Sequence, residues 1–476
     1  MPLILPGNVG SATAATGYDV ANSCRFNDGD SAYMHKTPGG AGTSADLFTF
    51  SMWIKRGIIS SSDRIVLFYA QSDAQNFDRI SFTDADVLEW KGVRSDSQAF
   101  NLTTSQVFRD ISSWYHLHFI WDSADSTADN RMRIYVNGTQ VTAFGTRANP
   151  SSGLDAIIGS AQKHSVGSTG SSGTYYDGYM AEVVYLDGQE LTPDGNTGEF
   201  DEDSGIWKPI DVSGLTFGTN GFYLDFEDSA NLGNDANGGT DFTETGLAAT
   251  DQSTDTCTNN FATLNPLHSI GASSELSQGN LEYDPSGHHR IISTIAPSSG
   301  KWYAEVKGID NPDKFNAGVC YYPIPANGSI SSFAFGQGIN GDVGRWSNDF
   351  GIKANGDYGH DNSWSSYMAS LEGENNNIVG IYMDLDNYKL YFSKNGSLVS
   401  STGKDLTNNG YPYGFISVGE AATFQWNFGN PSFAISSGNT DDNGYGNFEY
   451  SPNITGDGAA KKFYSLNSKN LAEYGG

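Results

Sequence analysis

The sequence predicts an all-β protein, and three observations support this fold class. Gly, Ser, Thr, Asn and Asp dominate the composition, with 57 glycines among 476 residues, and long runs of the strongest helix formers are missing. Hydrophobic residues make up 37% of the chain and aromatic residues 13%, which is enough for a sizeable core. Short apolar segments alternate with polar residues at a period of two, which is typical of strands with one buried face. No segment keeps a 3.6-residue period, so helices should be short and few.

Strand patterns recur through the first half of the chain. The segment 46–55 places Phe48, Phe50, Met52 and Ile54 on one face. Asn137-Gly138 lies between two alternating runs and predicts a hairpin, because a type I′ turn needs two residues at positive φ. The other predicted strands of this half are 64–70, 87–92, 114–122, 131–144 and 176–186.

The second half repeats the pattern after a polar stretch that predicts a domain boundary near 250–265. Its composition at 436–460 is typical of a loop, and the apolar alternation at 461–474 predicts a terminal strand. The predicted strands between these segments are 301–307, 379–386, 388–393, 411–418 and 423–428.

The charge balance excludes several classes of partner. The chain has 26 Lys and Arg against 55 Asp and Glu, a formal net charge of −29. Nucleic-acid binding requires a basic face, and an acidic membrane surface would repel this chain.

No apolar run is long enough to span a bilayer, so no membrane insertion is expected. Residues 1–6 lack a basic segment, so we expect no secretory signal.

The sequence gives little support for a catalytic site. Glu199, Asp201 and Glu202 come nearest to the triple carboxylate of a glycosidase strand, but Glu202 lies one position too early to share their face. His116 and His118 share one face of a strand and are interpreted as exposed positions. No nucleophile motif or phosphate-binding loop is present, so we predict that the chain is not an enzyme.

One acidic segment could bind calcium, which needs six to eight oxygen ligands. Its candidate ligands are Asp225, Asp228, Asn231 and Asp235. The alternative is that these residues form solvated turns, which Asp and Asn favour.

Two loops combine aromatic rings with small polar residues, the composition expected where rings stack on sugars and polar groups bind hydroxyls. In the loop 165–176, the candidate residues are Tyr175 and Tyr176. In the loop 345–367, they are Trp346, Asn348, Asp349, Trp364 and Tyr367. The alternative is that these tryptophans close the end of a hydrophobic core.

These motifs resemble two known families. Trp114-Tyr115-His116-Leu117 and Asp177-Gly178-Tyr179-Met180-Ala181-Glu182-Val183 resemble strands of a laminin-G-like domain, which implies a concanavalin A-like jelly roll over about 18–250. Gly300-Lys301-Trp302-Tyr303-Ala304-Glu305 and Val379–Asp386 are similar to strands of a SPRY domain over about 263–435. The resemblance implies two tandem antiparallel β-sandwiches, with an N-terminal arm at 1–17 and a C-terminal extension at 436–476.

This order of domains resembles large structural proteins of marine tailed bacteriophages. The resemblance implies a virion protein made in the host cytoplasm, such as a fibre, an appendage or a capsid decoration. Its expected partners are other virion proteins, host-surface glycans and further copies of the chain, with a trimer as one form. The alternatives are a purely structural spacer or cement protein and, less favoured, a polysaccharide-degrading enzyme.

Overall fold

The structure, a computed structural model, describes residues 17–59, 64–170, 174–268, 275–287, 289–321, 342–345, 347–419 and 421–475. These residues divide into two compact units, with the division between Thr258 and Asn259. The predicted fold class is confirmed, because each unit is an antiparallel β-sandwich. Of the arm predicted at 1–17, all but Gly17 lies outside the described residues.

The first unit is built from strands joined by tight turns and by two 3₁₀ turns at Asp28–Asp30 and Ala128–Asn130, with a third at Ala249–Asp251. Its described strands are β1 (Ser23–Phe26), β2 (Tyr33–Lys36), β3 (Leu47–Arg56), β4 (Ile65–Asp73), β5 (Asn76–Phe82), β6 (Val87–Arg94), β7 (Ser97–Val107), β8 (Tyr115–Asp122), β9 (Met132–Val136), β10 (Thr139–Gln140), β11 (Phe144–Ala148), β12 (Lys163–Val166), β13 (Gly178–Asp187), β14 (Glu199–Phe200), β15 (Trp207–Lys208), β16 (Phe222–Leu224), β17 (Thr243–Thr245) and β18 (Gln252–Ser253).

Two large sheets enclose the core of this unit. One sheet has the order β10-β9-β8-β3-β13-β1-β18, with β16 also paired to β13, and the other has the order β11-β7-β6-β5-β4-β12-β2-β17. The alternation predicted for β3 is borne out, since Phe48, Phe50, Met52 and Ile54 all lie in the core between the sheets. The predicted hairpin turn is also present, with φ of 47° at Asn137 and 75° at Gly138.

The second unit is likewise built mostly from strands, with 3₁₀ turns at Pro266–His268 and Pro312–Lys314. Its described elements are β19 (Leu276–Ser277), β20 (Glu282–Tyr283), β21 (His289–Ile292), β22 (Lys301–Gly308), β23 (Asn316–Tyr321), β24 (Asp349–Lys353), β25 (Asp357–His360), β26 (Ser363–Ser366), β27 (Ile378–Asp384), β28 (Lys389–Lys394), β29 (Ser397–Leu398), β30 (Lys404–Asp405), β31 (Tyr413–Gly419), β32 (Phe424–Asn427), β33 (Asn453–Gly456), β34 (Ala459–Lys462), β35 (Tyr464–Ser465) and helix α1 (Ser468–Tyr474).

The two main sheets of this unit pack around a second core. One has the order β19-β20-β32-β22-β27-β28-β29, with β30 on β28, and the other has the order β21-β31-β23-β24-β25-β26. The C-terminal segment joins the first of these sheets, because β35 pairs in parallel with β22. The strand predicted at 461–474 was therefore only partly right. Residues 461–462 end β34 and 464–465 form β35, after which the chain forms α1. The start of α1 is capped by the Asn467 side chain, which accepts from the Asn470 N–H.

Candidate functional site

The loop predicted to bind a ligand at 345–367 is largely strand, and this corrects the sequence interpretation. Residues 349–353, 357–360 and 363–366 form β24, β25 and the edge strand β26. Phe350 and Ile352 point into the core, so Asp349, Gly351 and Lys353 face the opposite side of the sheet. We call this side, on β23 to β26, the outer face.

Trp364 lies on the outer face, at the exposed edge of the sheet. It pairs with Gly359, where a Cβ atom would approach the indole ring to 2.2 Å, so the ring can lie against β25 only because that residue is glycine. The Lys353 Nζ lies 3.4 Å from the centre of the ring, and the Asp342 carboxylate holds this ammonium at 2.6 Å. The half-buried indole is thus seated on glycine and capped by a cation.

The neighbouring candidates Asn348 and Asp349 are buried and serve the fold. Asn348 donates from Nδ2 to the Tyr321 carbonyl at 3.3 Å. The Asp349 carboxylate forms an ion pair with Arg290 and accepts from the Gly344 N–H at 3.0 Å. Neither side chain is on the surface in this arrangement. Trp346 lies outside the described residues.

Tyr367 is half-buried beyond the edge strand. Its ring packs against Tyr358 and Phe392, and the Lys404 Nζ lies 4.6 Å from its centre. Burial raises the pKa of its hydroxyl to about 12. Tyr367 also lines an open depression between 366–369 and 394–399, with a volume of about 620 Å³. Tyr367 therefore lies at a depression that is separate from the outer face, where Trp364 lies.

In the first unit, the two tyrosines predicted to be presented together differ in exposure. Tyr175 is half-buried and contacts Tyr33, with ring centres 6.1 Å apart. Tyr176 lies in the core, and its hydroxyl donates to the Lys55 carbonyl at 2.8 Å. The prediction of a surface position was wrong for Tyr176. The sequence contained a signal for this buried position. Tyr176 precedes the core residue Met180 by four positions, and residues an even number of positions apart along an extended chain face the same side.

The acidic segment proposed for calcium is occupied by internal contacts. Asp225 and Asp228 accept from the N–H groups two residues ahead, and the Asn231 Nδ2 donates to Asp241. Asp235 is buried and accepts from the Tyr223 N–H at 3.0 Å, while the Lys36 Nζ lies 3.3 Å from its other oxygen. Among the described residues, no group of three or more His, Cys, Asp or Glu side chains converges to hold a metal.

We expect that calcium does not stabilise the chain through this segment. The Lys36 ammonium already neutralises Asp235, and the other candidate side chains close separate turns. The check is the melting temperature in excess calcium chloride and in EDTA, with Lys36→Met as the comparison. A rise with calcium that EDTA reverses in the unchanged chain would contradict this expectation.

The histidine pair expected at the surface is buried, which corrects the sequence interpretation. The outer side of the β3, β8 and β13 sheet is covered by a second cluster that includes Trp53, Trp114 and Trp207. His116 accepts from the Trp207 indole N–H at 3.0 Å, and both nitrogens of His118 have hydrogen-bond partners. Burial lowers the pKa of His118 to about 4, so the ring is neutral at pH 7.

The carboxylates nearest to a glycosidase pattern lie on a short hairpin. Glu199 and Asp201 both contact the Lys208 Nζ, at 3.2 and 3.3 Å. Glu202 is exposed in the turn that joins β14 to β15 and makes no ion pair within the described part of the chain. One lysine thus bridges the two carboxylates.

Sequence reasoning missed Lys353 and Asp342, which determine how Trp364 is presented. A usable signal exists, because Asn355-Gly356 lies between Ile352 and Tyr358 and is typical of a hairpin turn. Gly356 has a φ of 87°, as such a turn requires. A hairpin here places Lys353 on the strand that precedes the turn, although its contact with a ring two strands away could not be read from local spacing.

Comparison with known proteins supports the lectin-like fold of the first unit. The family model of the concanavalin A-like lectin/glucanases superfamily matches residues 28–194. The match covers less than half of the chain, and it agrees with a concanavalin A-like fold for the first unit. No curated protein matches the chain.

Solved structures similar to the chain include a pentraxin and a candidate carbohydrate-binding protein. A heptameric SAP-like pentraxin from Limulus polyphemus is 16% identical, with 42% of this chain and 100% of that chain covered and a TM-score of 0.28. A candidate carbohydrate-binding protein from Bacteroides ovatus is 18% identical, with 48% of this chain covered and a TM-score of 0.33. The match spans 58% of the length of that protein.

SPRY domains are also among the similar structures. The SPRY domain of human HERC1 is 11% identical, with 34% of this chain and 96% of that domain covered and a TM-score of 0.25.

Within the described residues, no helix is both long and apolar enough to cross a bilayer.

Proposed function

We propose that this chain is a carbohydrate-binding protein without catalytic activity, and that it recognises host-surface glycans as part of a bacteriophage virion. The observation that carries the proposal is the Trp364 platform, an indole seated on Gly359 on the edge strand of its sheet. A sugar ring can stack on the outer face of this indole once it displaces the Lys353 ammonium, which then remains beside the ring, with the Asp342 carboxylate, to hydrogen bond the sugar hydroxyls. The lectin-like fold of the first unit supports the same class of ligand.

The virion assignment follows from the order of the two domain types and the acidic composition. Its specific form is a fibre, an appendage or a capsid decoration, assembled in the host cytoplasm with other virion proteins. Display on a homo-oligomer, for which a trimer is one form, would raise avidity where single sites are weak. Light scattering of the purified chain would give its oligomeric state.

A purely structural role as a spacer or cement protein is the second candidate. The observation that favours it is the position of Lys353, whose ammonium covers the exposed face of the Trp364 ring. In this case the tryptophan stabilises the sheet edge and no ligand displaces the lysine.

The experiment that separates these functions combines binding and cleavage. The purified chain is mixed with a panel of bacterial surface polysaccharides, run on native gels, and the same mixtures are assayed for new reducing ends. We expect retardation without cleavage. Cleavage would overturn the non-enzymatic assignment, and the absence of both would favour the spacer.

Trp364→Ala should weaken polysaccharide binding by more than tenfold, a ratio that corresponds to about 1.4 kcal/mol. The matched control is Tyr445→Ala, because Tyr445 is also a half-buried ring beneath an ammonium, that of Lys469, in the same unit. Trp364→Leu preserves apolar volume without a flat ring and applies if the alanine variant unfolds. Unchanged binding in a folded Trp364 variant would exclude the platform.

A further inference from the structure

We infer that the cleft beside Lys353 is a second sugar subsite, one that takes a neutral pyranose through its hydroxyl groups. The inference rests on the proposed glycan binding and adds the position and chemistry of a subsite that is separate from the Trp364 ring. The cleft has a volume of about 230 Å³ in the second unit. Its polar lining includes Asp313, Lys314, Asn316, Asp342, Lys353 and Glu372.

Asn316 supplies the observation that points to a ligand. The residue is only 8% exposed, and its Nδ2 donates to the Lys314 carbonyl at 3.2 Å. Its Oδ1 is buried and has no hydrogen-bond partner within the described part of the chain. Rotating the amide would place Oδ1 against the Lys314 carbonyl, so the hydrogen bond fixes which atom is left without a donor. A buried acceptor in this state is destabilising unless a donor reaches it.

The lining of the cleft selects a ligand that both donates and accepts hydrogen bonds. Asp313, Asp342 and Glu372 offer acceptors, as does the Asn316 Oδ1, whereas lysine ammonium groups only donate. The three carboxylates are nearly balanced by the ammonium groups of Lys314 and Lys353, so the lining does not strongly favour an anion or a cation. Hydroxyl groups satisfy both kinds of partner without adding charge, so a neutral sugar fits this lining best.

The cleft and the Trp364 platform lie along one face of the sheet. Asn316 is the direct cross-strand partner of Lys353, so the two side chains point to the same side. Trp364 lies on β26, three strands from β23, which corresponds to about 14 Å at the usual strand spacing. The Lys353 ammonium lies over the Trp364 ring and also lines the cleft. An oligosaccharide that displaces this ammonium from the ring could therefore stack one sugar on Trp364 and place another in the cleft, with Lys353 between them.

The test uses the intact ¹⁵N-labelled chain titrated with glucose, galactose, mannose and N-acetylglucosamine. We expect at least one of these sugars to shift the Asn316 side-chain amide signal in a saturable way at millimolar concentration. The amide signal of Asn430 is the internal reference, because this residue is also buried with unpartnered amide atoms but lies away from the cleft. The inference is overturned if none of these sugars shifts the Asn316 signal, or if ammonium chloride at equal concentration shifts it as much.

Substitution gives the second arm of the test. Asn316→Leu removes the acceptor at similar volume and should abolish the saturable shifts of the remaining cleft signals, such as the Asn355 amide, while Asn430→Leu should leave them unchanged. If Asn316→Leu fails to fold, the titration of the unchanged chain still decides whether the cleft binds a sugar. Polysaccharide retention without sugar shifts at Asn316 would leave the proposed function standing and remove the subsite. Sugar shifts at Asn316 without polysaccharide retention would keep the subsite and remove the proposed function.

Discussion

Glu305→Ala should lower the free energy of unfolding of the second unit by more than about 4 kcal/mol and detach the C-terminal segment from its sheet. Glu305 is fully buried on β22. Its carboxylate accepts four hydrogen bonds, from the Tyr303 hydroxyl, the Asn427 amide and the N–H groups of Glu449 and Tyr450. Alanine would leave all four donors without this acceptor, and each buried unpaired donor costs about 1 to 3 kcal/mol.

The location of these donors explains why the effect should extend beyond one contact. Two of them belong to the backbone at 449–450, within the segment that the sequence predicts as a loop-like extension. Phe448 and Phe463 pack with Tyr303 in a cluster on the outside of the same sheet. Without the carboxylate, the backbone can satisfy its N–H groups only by moving into water, and this movement would expose that cluster.

The measurement combines urea unfolding with hydrogen exchange resolved by segment. We expect faster exchange at 446–466 under native conditions as well as a lower unfolding midpoint. The control is Glu374→Ala, which removes an exposed carboxylate paired with Lys394 and should change neither quantity measurably. A Glu305→Ala chain with wild-type stability, or with slow exchange at 446–466, would show that the segment is held by other contacts.

The sequence predicted strands well where apolar residues alternate. It predicted much less well the features whose position depends on contacts between distant parts of the chain. The period-two pattern of β3 and the Asn-Gly turn after β9 are local signals, and both are present as predicted. Glu305 lies on the side of β22 opposite the core, and no local signal shows that it would accept hydrogen bonds from residues about 145 positions away. Pairing of this kind depends on which segments meet in the fold, and composition at 436–460 carries no such information.

The candidate site shows the same division between local and distant signals. Trp364 was identified from its residue type, but the strand Ser363–Ser366 was interpreted as loop because serine has little strand preference. The position of this strand is set by pairing with β25, and the ring is seated by a glycine on that partner. Lys353 and Asn316 meet through pairing of β23 with β24, two strands separated by residues 322–348 in sequence.

Glu182→Gln should flatten the dependence of stability on pH in the first unit. Glu182 is buried on β13 at an irregularity in its pairing with β3, with a φ of 49°. Burial raises the pKa of this carboxyl from 4.5 to about 8. The nearby carboxylates of Asp225 and Glu227 raise this pKa further, while the hydroxyls of Tyr223 and Tyr18 oppose the shift.

The sign follows from the protons bound in each state. Between pH 4.5 and about 8 the folded chain holds a proton on Glu182 that the unfolded chain has released, so stability falls as the pH rises through this range. Since one pKa unit corresponds to about 1.36 kcal/mol, the full loss is on the order of 4 to 5 kcal/mol. Above pH 8 the carboxylate remains charged beside the Cys257 thiol and the Tyr18 and Tyr223 hydroxyls, and the loss is complete.

The experiment measures hydrogen exchange of β13 in the unchanged chain and in Glu182→Gln from pH 5 to pH 9, corrected for the intrinsic effect of pH. The difference in opening free energy between the two chains should grow in favour of the glutamine variant as the pH rises. Exchange of β27, in the other unit, is the internal control and should be the same in both chains. A carboxyl ¹³C titration of the unchanged chain checks the group directly, with an expected midpoint near 8. Parallel pH profiles for the two chains, or a midpoint near 4.5, would mean that Glu182 is charged in the folded protein and that its tyrosine partners outweigh its burial.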